Sequence, residues 1–352
     1  MLEAAGFKFV GFALDRRVTI AEKPAVEDGY ILGRAKDGNL LGRIASIASA
    51  LLVVWRNRHV IKEADVLIAR NLDLLLVAWV TKLLLRSTVA TYYECLDIHP
   101  ALTRPGWPAK LLRQIERFVL GKLDGVIISS PAFHDRYFAP IQLYEGRSFV
   151  LENKIFDAGS GKHNEALLER EVVRIGYVGI LRCRISLLLL LRCVASTPNS
   201  ELHLYGVPDP NFIPDFDTLI GGVDRVRYFG RYKSSDLRSI YSRLDLIWVS
   251  DFSTEGFNAT WLLPNRLYEG GFYGCIPIAV DGSETARWLR SKGLGLVLNE
   301  RSPAALEECI TTMTFDKIFS LREALQAGPL SFFVHQPEEL SALKEWLLRR
   351  TL

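Results

Sequence analysis

Short apolar runs alternate with helical stretches from one end of this chain to the other, and that alternation leaves few folds open. In the second half the runs are Val173 to Val178, Leu202 to Tyr205, Val226 to Phe229, Leu246 to Val249, Ile276 to Val280 and Gly295 to Leu298. In the first half they are Phe7 to Leu14, Val66 to Ala69, Val89 to Tyr93 and Gly125 to Ser129. Helical stretches over Leu41 to Trp55, Leu74 to Leu85, Pro108 to Leu120 and Phe133 to Phe138 separate the first-half runs. The runs Val66 to Ala69, Val89 to Tyr93 and Gly125 to Ser129 are short and lack strict alternation, as strands do when helices cover both faces of a parallel sheet. The chain is therefore expected to be α/β, built from βα units.

At 352 residues it is too long for one ordinary core and suits two domains. The polar, Gly-containing stretch DAGSGKHNEALLER at 157–170 reads as the linker. The expected layout is a first Rossmann-like domain over 1–156 and a second over 171–334. A terminal helix within 335–352 would pack back on the first domain. Two such domains would face each other across a cleft, because ligands of open α/β sheets sit at the carboxyl ends of the strands.

Composition excludes several classes. With 49% hydrophobic and 24% charged residues the chain is globular, and a net charge of +3 does not suit a dedicated nucleic-acid binder. Cys95, Cys183, Cys193, Cys275 and Cys309 have neither metal-ligand spacing nor the pairing of a disulfide framework. The apolar stretches Ile44 to Trp55 and Leu72 to Leu85 are too short to span a bilayer, and no signal peptide is visible. A cytoplasmic protein is expected, with any membrane contact peripheral.

The informative residues follow the strands. After Leu246 to Val249, the segment LLPNRLYEGG opens a helix, with Pro264 in the first-turn position that proline favours. Free amides at a helix start, around Asn265 and Leu267, form an anion site suited to a diphosphate. Arg266 adds a planar donor fork. Glu269, one turn on, can accept from the two vicinal hydroxyls of a ribose. In RIGYVGILRCRIS the strand ends at Gly179, which permits close backbone approach, and Arg182 and Arg184 follow. Arg182 is favoured for neutralising charge on a leaving diphosphate. Gly206, and Gly230 with Arg231 and Tyr232, close the loops on that edge and could shape a pocket for a planar base.

The ordered run IGYVGILR, LHLYGV, VRYFGRYKSSDLRSIYSRLDLIWV and PNRLYEGGFYGCIPIAV resembles the carboxyl-terminal half of GT-B glycosyltransferases. The relatives are those of the large family that includes bacterial exopolysaccharide and lipopolysaccharide enzymes. The resemblance implies that Glu269 binds the nucleotide ribose and that Arg266 and Arg182 bind the diphosphate. Most relatives carry a pair of glutamates, and the position of the first is Trp261 here. Glu255 is out of register, and Asn258 is the candidate substitute, as in the subset with a P-N-[KR]-L-Y-E motif. The family's Lys-Gly would fall at Ile185-Ser186, so the arginines must serve instead. By the same resemblance the first domain binds the acceptor. There Glu94, Asp97 and His99 crowd one strand end. Asp97 would deprotonate the acceptor hydroxyl if the reaction inverts the anomeric centre. If it retains configuration, Asp97 or His99 would orient acceptor or sugar.

Relatives carry a strand and loop before the helix that MLEAAGF would end, so the first strand looks missing. Either translation starts upstream of Met1 or the product is truncated. The Trp107-Pro108 helix interleaves Lys110, Arg113, Arg117 and Lys122 with apolar residues, which suits either an anionic membrane surface or a sheet-covering helix with a solvated basic edge.

The expected activity is transfer of a hexose from a nucleoside diphosphate sugar, UDP being the favoured nucleotide, to a lipid-linked or oligosaccharide acceptor. No cofactor is expected and no metal, since no Asp-x-Asp motif accompanies the predicted diphosphate site. A catalytically inactive subunit of a polysaccharide assembly complex and a nucleotide-sugar epimerase stay open as alternatives.

Overall fold

The computed structural model describes residues 3, 5–15, 29–34, 40–156, 172–253 and 258–349. The chain divides into two compact units, Met1–Leu151 with Gln336–Leu352, and Glu152–His335. The expected linker at 157–170 and Glu255 lie outside the described residues, as do Met1, Leu2 and Ala4 of the expected opening helix tail. Its end is described: Gly6 has φ +75° and its amide donates to Glu3 O at 2.9 Å, a left-handed turn of the kind that suits glycine.

In the first unit, strands β1 (Gly11–Asp15) and β2 (Gly29–Arg34) form a parallel pair. The pattern of apolar runs gave no sign of β2. A second sheet joins β3 (Val66–Arg70), β4 (Ala90–Cys95), β5 (Gly125–Ile128) and β6 (Ser148–Val150), in that order and all parallel. Every residue of β4 and β5 is buried, which is why those segments read as unbroken apolar runs. The helix Pro337–Leu348 belongs to this unit, where Leu343 and Leu347 share a core with Tyr92 and Ile127. Tyr92 donates its hydroxyl to Leu347 O at 2.7 Å, and the Trp346 ring packs 4.9 Å from that of Tyr92.

The helix Trp107–Leu120 turns the ordinary amphipathic arrangement partly inside out. Its buried face carries Glu116 with Ala109, Val119 and Leu120, while Trp107 (77% exposed), Phe118 (55%) and Leu111 (48%) stand in solvent. Glu116 accepts from Tyr93, Tyr137 and Gln142. These bonds are what make a fully buried carboxyl tolerable, though burial still pushes its pKa up to about 7.

The second unit is one six-stranded parallel sheet. Its strands are β7 (Val173–Val178), β8 (Ser200–Tyr205), β9 (Val226–Gly230), β10 (Leu246–Trp248), β11 (Ile276–Val280) and β12 (Leu296–Leu298). Their spatial order is β12-β11-β10-β7-β8-β9. The order reverses between β7 and β10, where Ile175 pairs with Leu246. That is the topological switch point at which doubly wound sheets bind ligands. A cavity of about 550 Å³ lies at the opposite end of this sheet, lined by residues such as Val172, Asn199, Asp245 and Phe315. Among the described residues no helix is long and apolar enough to cross a membrane.

Candidate functional site

Arg266 is built into the carboxyl end of β10. It sits in the helix Asn265–Phe272, is almost fully buried, and lies over the Tyr177 ring at 5.1 Å from its centroid. Its Nε donates to Trp248 O at 2.9 Å and its Nη2 to Ser250 O at 3.2 Å. Each bond from a cation to a carbonyl contributes about 1.5–3 kcal/mol. Nη1 has no hydrogen-bond partner among the described residues, and a Cβ added to Gly179 would stand 3.8 Å from it. A fixed cationic edge therefore faces the end of β7.

The glycines there are required by backbone packing as much as by any ligand. Gly179 has φ +122° and Gly206 φ +130°, both strained for a residue with a side chain. A Cβ on Gly206 would fall 1.7 Å from Gly179 O. The Gly179 amide donates to Tyr205 O at 3.0 Å and that of Gly206 to Gly230 O at 2.7 Å. The strand ends are thus sewn together by main chain.

Two arginines follow β7 and fare differently. Arg184, the first residue of the helix Arg184–Ser196, makes a forked ion pair with Asp215 on the surface. That pair also occupies the first carboxylate of the triplet Asp215-Phe216-Asp217, an Asp-x-Asp sequence on this edge that the sequence reading passed over. Arg182 instead turns to Asp251 at the end of β10, its Nε 3.3 Å from Oδ2. Cys183 ties the same two loops together, its Sγ accepting from the amides of Ser186 and Phe252.

Glu269 is largely buried, and Tyr241 donates its hydroxyl to Oε2 at 2.9 Å. Burial raises the Glu269 pKa, with the Tyr241 bond and Arg266 working against the shift. Tyr232 is half-buried against the core and is close enough for Glu269 and Arg266 to act on its own titration. Arg231 is exposed. Asn258, in the short helix Asn258–Trp261, is buried, as is Trp261.

Two expectations are corrected. Pro264 stands one residue before the helix, as its N-cap in extended conformation, and Asn265 opens the first turn. Leu267 is fully buried in the core, so its side chain is not available to a ligand, and its amide already donates to Pro264 O at 2.9 Å. Three contributors were missed: Asp251, Tyr241 and Cys183. Only Asp251 left a signal, as a carboxylate just past an apolar strand.

The candidates in the first unit are engaged separately. Glu94, at the end of β4, is buried and accepts from Arg70 Nε at 2.9 Å. His99 is the N-cap of the helix Pro100–Thr103, its Nδ1 accepting from the Ala101 amide at 3.1 Å. Asp97 is exposed, and its carbonyl accepts from the Cys95 thiol.

A buried arginine fork beside a glycine, a helix start and a carboxylate one turn on, all at the switch point, present donors to an anion and an acceptor to hydroxyls. Several solved structures have a similar fold. Sucrose-phosphate synthase from Thermosynechococcus elongatus superposes with a TM-score of 0.71 at 17% identity, over 98% of this chain and 89% of that one. Anabaena HepE, in complex with UDP and glucose, gives 0.66 at 14% identity, over 90% and 85%. No family model matches the chain. These likenesses show that the fold is that of the GT-B class. The succinoglycan biosynthesis protein ExoL of Rhizobium meliloti (strain 1021) is 37% identical over 292 residues, which cover 80% of this chain and 72% of ExoL. The chain belongs to the ExoL family.

Proposed function

We propose that this protein transfers a hexose from a UDP-sugar to a saccharide acceptor, carried on a lipid, in exopolysaccharide synthesis at the cytoplasmic face of the membrane. The observation that carries the donor half is Arg266, held by two strand-end carbonyls so that Nη1 is left toward Gly179. HepE, of the same fold, binds UDP and UDP-glucose. In this reading Arg266, Arg182 and the amide of Asn265 take the diphosphate, and Glu269 Oε1 takes the ribose hydroxyls. Charge on the departing diphosphate grows as the glycosidic bond breaks, so preoriented guanidinium groups stabilise the transition state more than the bound donor. No metal is assigned a part. Asp97, exposed beyond β4, is the group assigned to the acceptor hydroxyl.

The lipid-linked acceptor is supported by the outward face of Trp107–Leu120. There Trp107, Leu111 and Phe118 alternate with exposed Lys110 and Arg117, the pattern of a helix lying in an anionic membrane surface. Phe118 meets Trp79 at 5.5 Å, and Leu83 and Leu84 at the end of the helix Asn71–Leu84 are also exposed.

Incubation with radiolabelled UDP-hexoses and a membrane extract tests the reading. Label passing into an organic-soluble or polymeric product supports it. Conversion of one UDP-sugar into another, without transfer, would identify an epimerase. Failure to bind UDP or GDP in a thermal-shift screen would point to an inactive subunit, because a bound ligand must raise the melting temperature.

A further inference from the structure

The loop after β10 carries a carboxylate whose setting goes beyond filling space. Asp251 is 6% exposed. Its Oδ1 accepts from the Ser253 amide at 2.8 Å, which fixes the side chain on its own loop. Its Oδ2 faces Arg182 Nε at 3.3 Å, across the switch point. Burial works to raise its pKa. Arg266, the bonds to Ser253 and the charge of Arg182 outweigh that and hold it below the ordinary carboxylate value, so the group stays ionised.

The manner of the contact matters. Asp251 takes Arg182 by Nε, the inner edge of the guanidinium, and the terminal nitrogens have no hydrogen-bond partner among the described residues. Arg266 is held in the same style, by Nε and Nη2, with Nη1 left over. Arg182 comes from the loop after β7, Arg266 from the helix after β10, and nothing in the covalent chain brings them near each other. Two guanidinium groups at one crevice also repel, and a buried carboxylate acting on both relieves that repulsion.

We propose that Asp251 is a positioning residue: it grips Arg182 by Nε so that the terminal nitrogens of Arg182 and Arg266 converge on one diphosphate. This rests on the reading above that these arginines bind the donor diphosphate. Asp251 itself does not touch the donor. A carboxylate that competed with the diphosphate would instead take the terminal nitrogens.

The test reads the β-phosphate directly. Calorimetry with UDP and UMP gives the preference for UDP, which reports the guanidinium contacts, while UMP affinity reports the rest of the site. In Asp251→Asn the preference should fall by about fivefold or more, with UMP affinity and melting temperature little changed. Arg182→Ala should lower it comparably, and adding Asp251→Asn to Arg182→Ala should change it by less than about twofold, since one acts through the other. Arg182→Lys, which keeps the charge but has no Nε to grip, should also lose preference. If Asp251→Asn does not fold, Asp251→Ser, which keeps a small polar acceptor, takes its place. An unchanged or increased preference in the Asp251 variant, or effects of the two residues that multiply, would overturn the proposal. If Arg182→Ala itself leaves the preference intact, the diphosphate role of Arg182 fails and the role of Asp251 falls with it. A loss confined to Arg182→Ala removes Asp251 alone.

Discussion

Glu269 and Glu116 are both buried carboxyls with raised pKa values, and their partners separate their roles. Glu269 has one oxygen on Tyr241 and no described partner on the other, the state of a group waiting for hydroxyls. Glu269→Ala should weaken UDP binding by roughly 1–3 kcal/mol, the scale for bonds to a charged group. Unchanged affinity in a folded variant would remove it from the ribose role. Glu116 has all its partners inside the fold, so its titration is a matter of stability. Its folded pKa of about 7 lies above the usual carboxyl value. The folded state therefore binds more protons than the unfolded state between those two values, and stability falls as pH rises through that window. The loss should reach on the order of 3–4 kcal/mol above pH 7. Glu116→Gln removes the titration, so melting curves from pH 5 to 8 should show a downward slope in the parent that the variant lacks. Parallel curves would contradict this. At this scale Arg266 and Glu269 were legible because a strand, a turn and a helix start occur in that order around them. Tyr241 was not, and Asp251 showed only as a carboxylate just past an apolar strand, because their partners lie on other elements and no local pattern announces such a pairing.

The elements of the second unit were easier to read than the residues. Val173 to Val178 and Ile276 to Val280 appear at their full length, because central parallel strands are apolar on both faces. β2 and β6 escaped notice: β6 has only three residues and β2 includes two glycines and a terminal arginine. The Trp107–Leu120 helix was legible as amphipathic but not in its orientation, since a buried glutamate is intelligible only once Tyr137 and Gln142 are beside it. Glycine in the helix Asn265–Phe272 has a packing cause. A Cβ on Gly271 would fall 2.3 Å from Phe333 Cε1, and one on Gly270 would fall 2.7 Å from Ile247 Cγ2. Gly271→Ala should destabilise by about 1–3 kcal/mol through overpacking. Gly206→Ala should be worse, because a backbone oxygen cannot give way as a ring can. Chemical denaturation ranks them, and a Gly206→Ala variant as stable as the parent would refute the close approach.

For the molecule as a whole, the outward apolar face on the first unit makes a prediction that no donor assay touches. The protein should co-sediment with vesicles rich in phosphatidylglycerol and less with neutral ones, with binding weakened by salt. Phe118→Glu with Leu111→Glu should abolish binding and lower the melting temperature only modestly, since both side chains are about half exposed. Equal binding by parent and variant would exclude this face.

The first unit also leaves the chain at Leu151 and regains it at Gln336. The Tyr92 bond to Leu347 closes a loop of 255 residues. At synthesis rates of about 5–20 residues per second, Tyr92 waits roughly 13–50 s for its partner. The second unit's residues, which are contiguous, are all synthesised within that interval. The core face beside β4 that Leu343 and Leu347 cover is therefore completed only after every strand of the second unit has been synthesised.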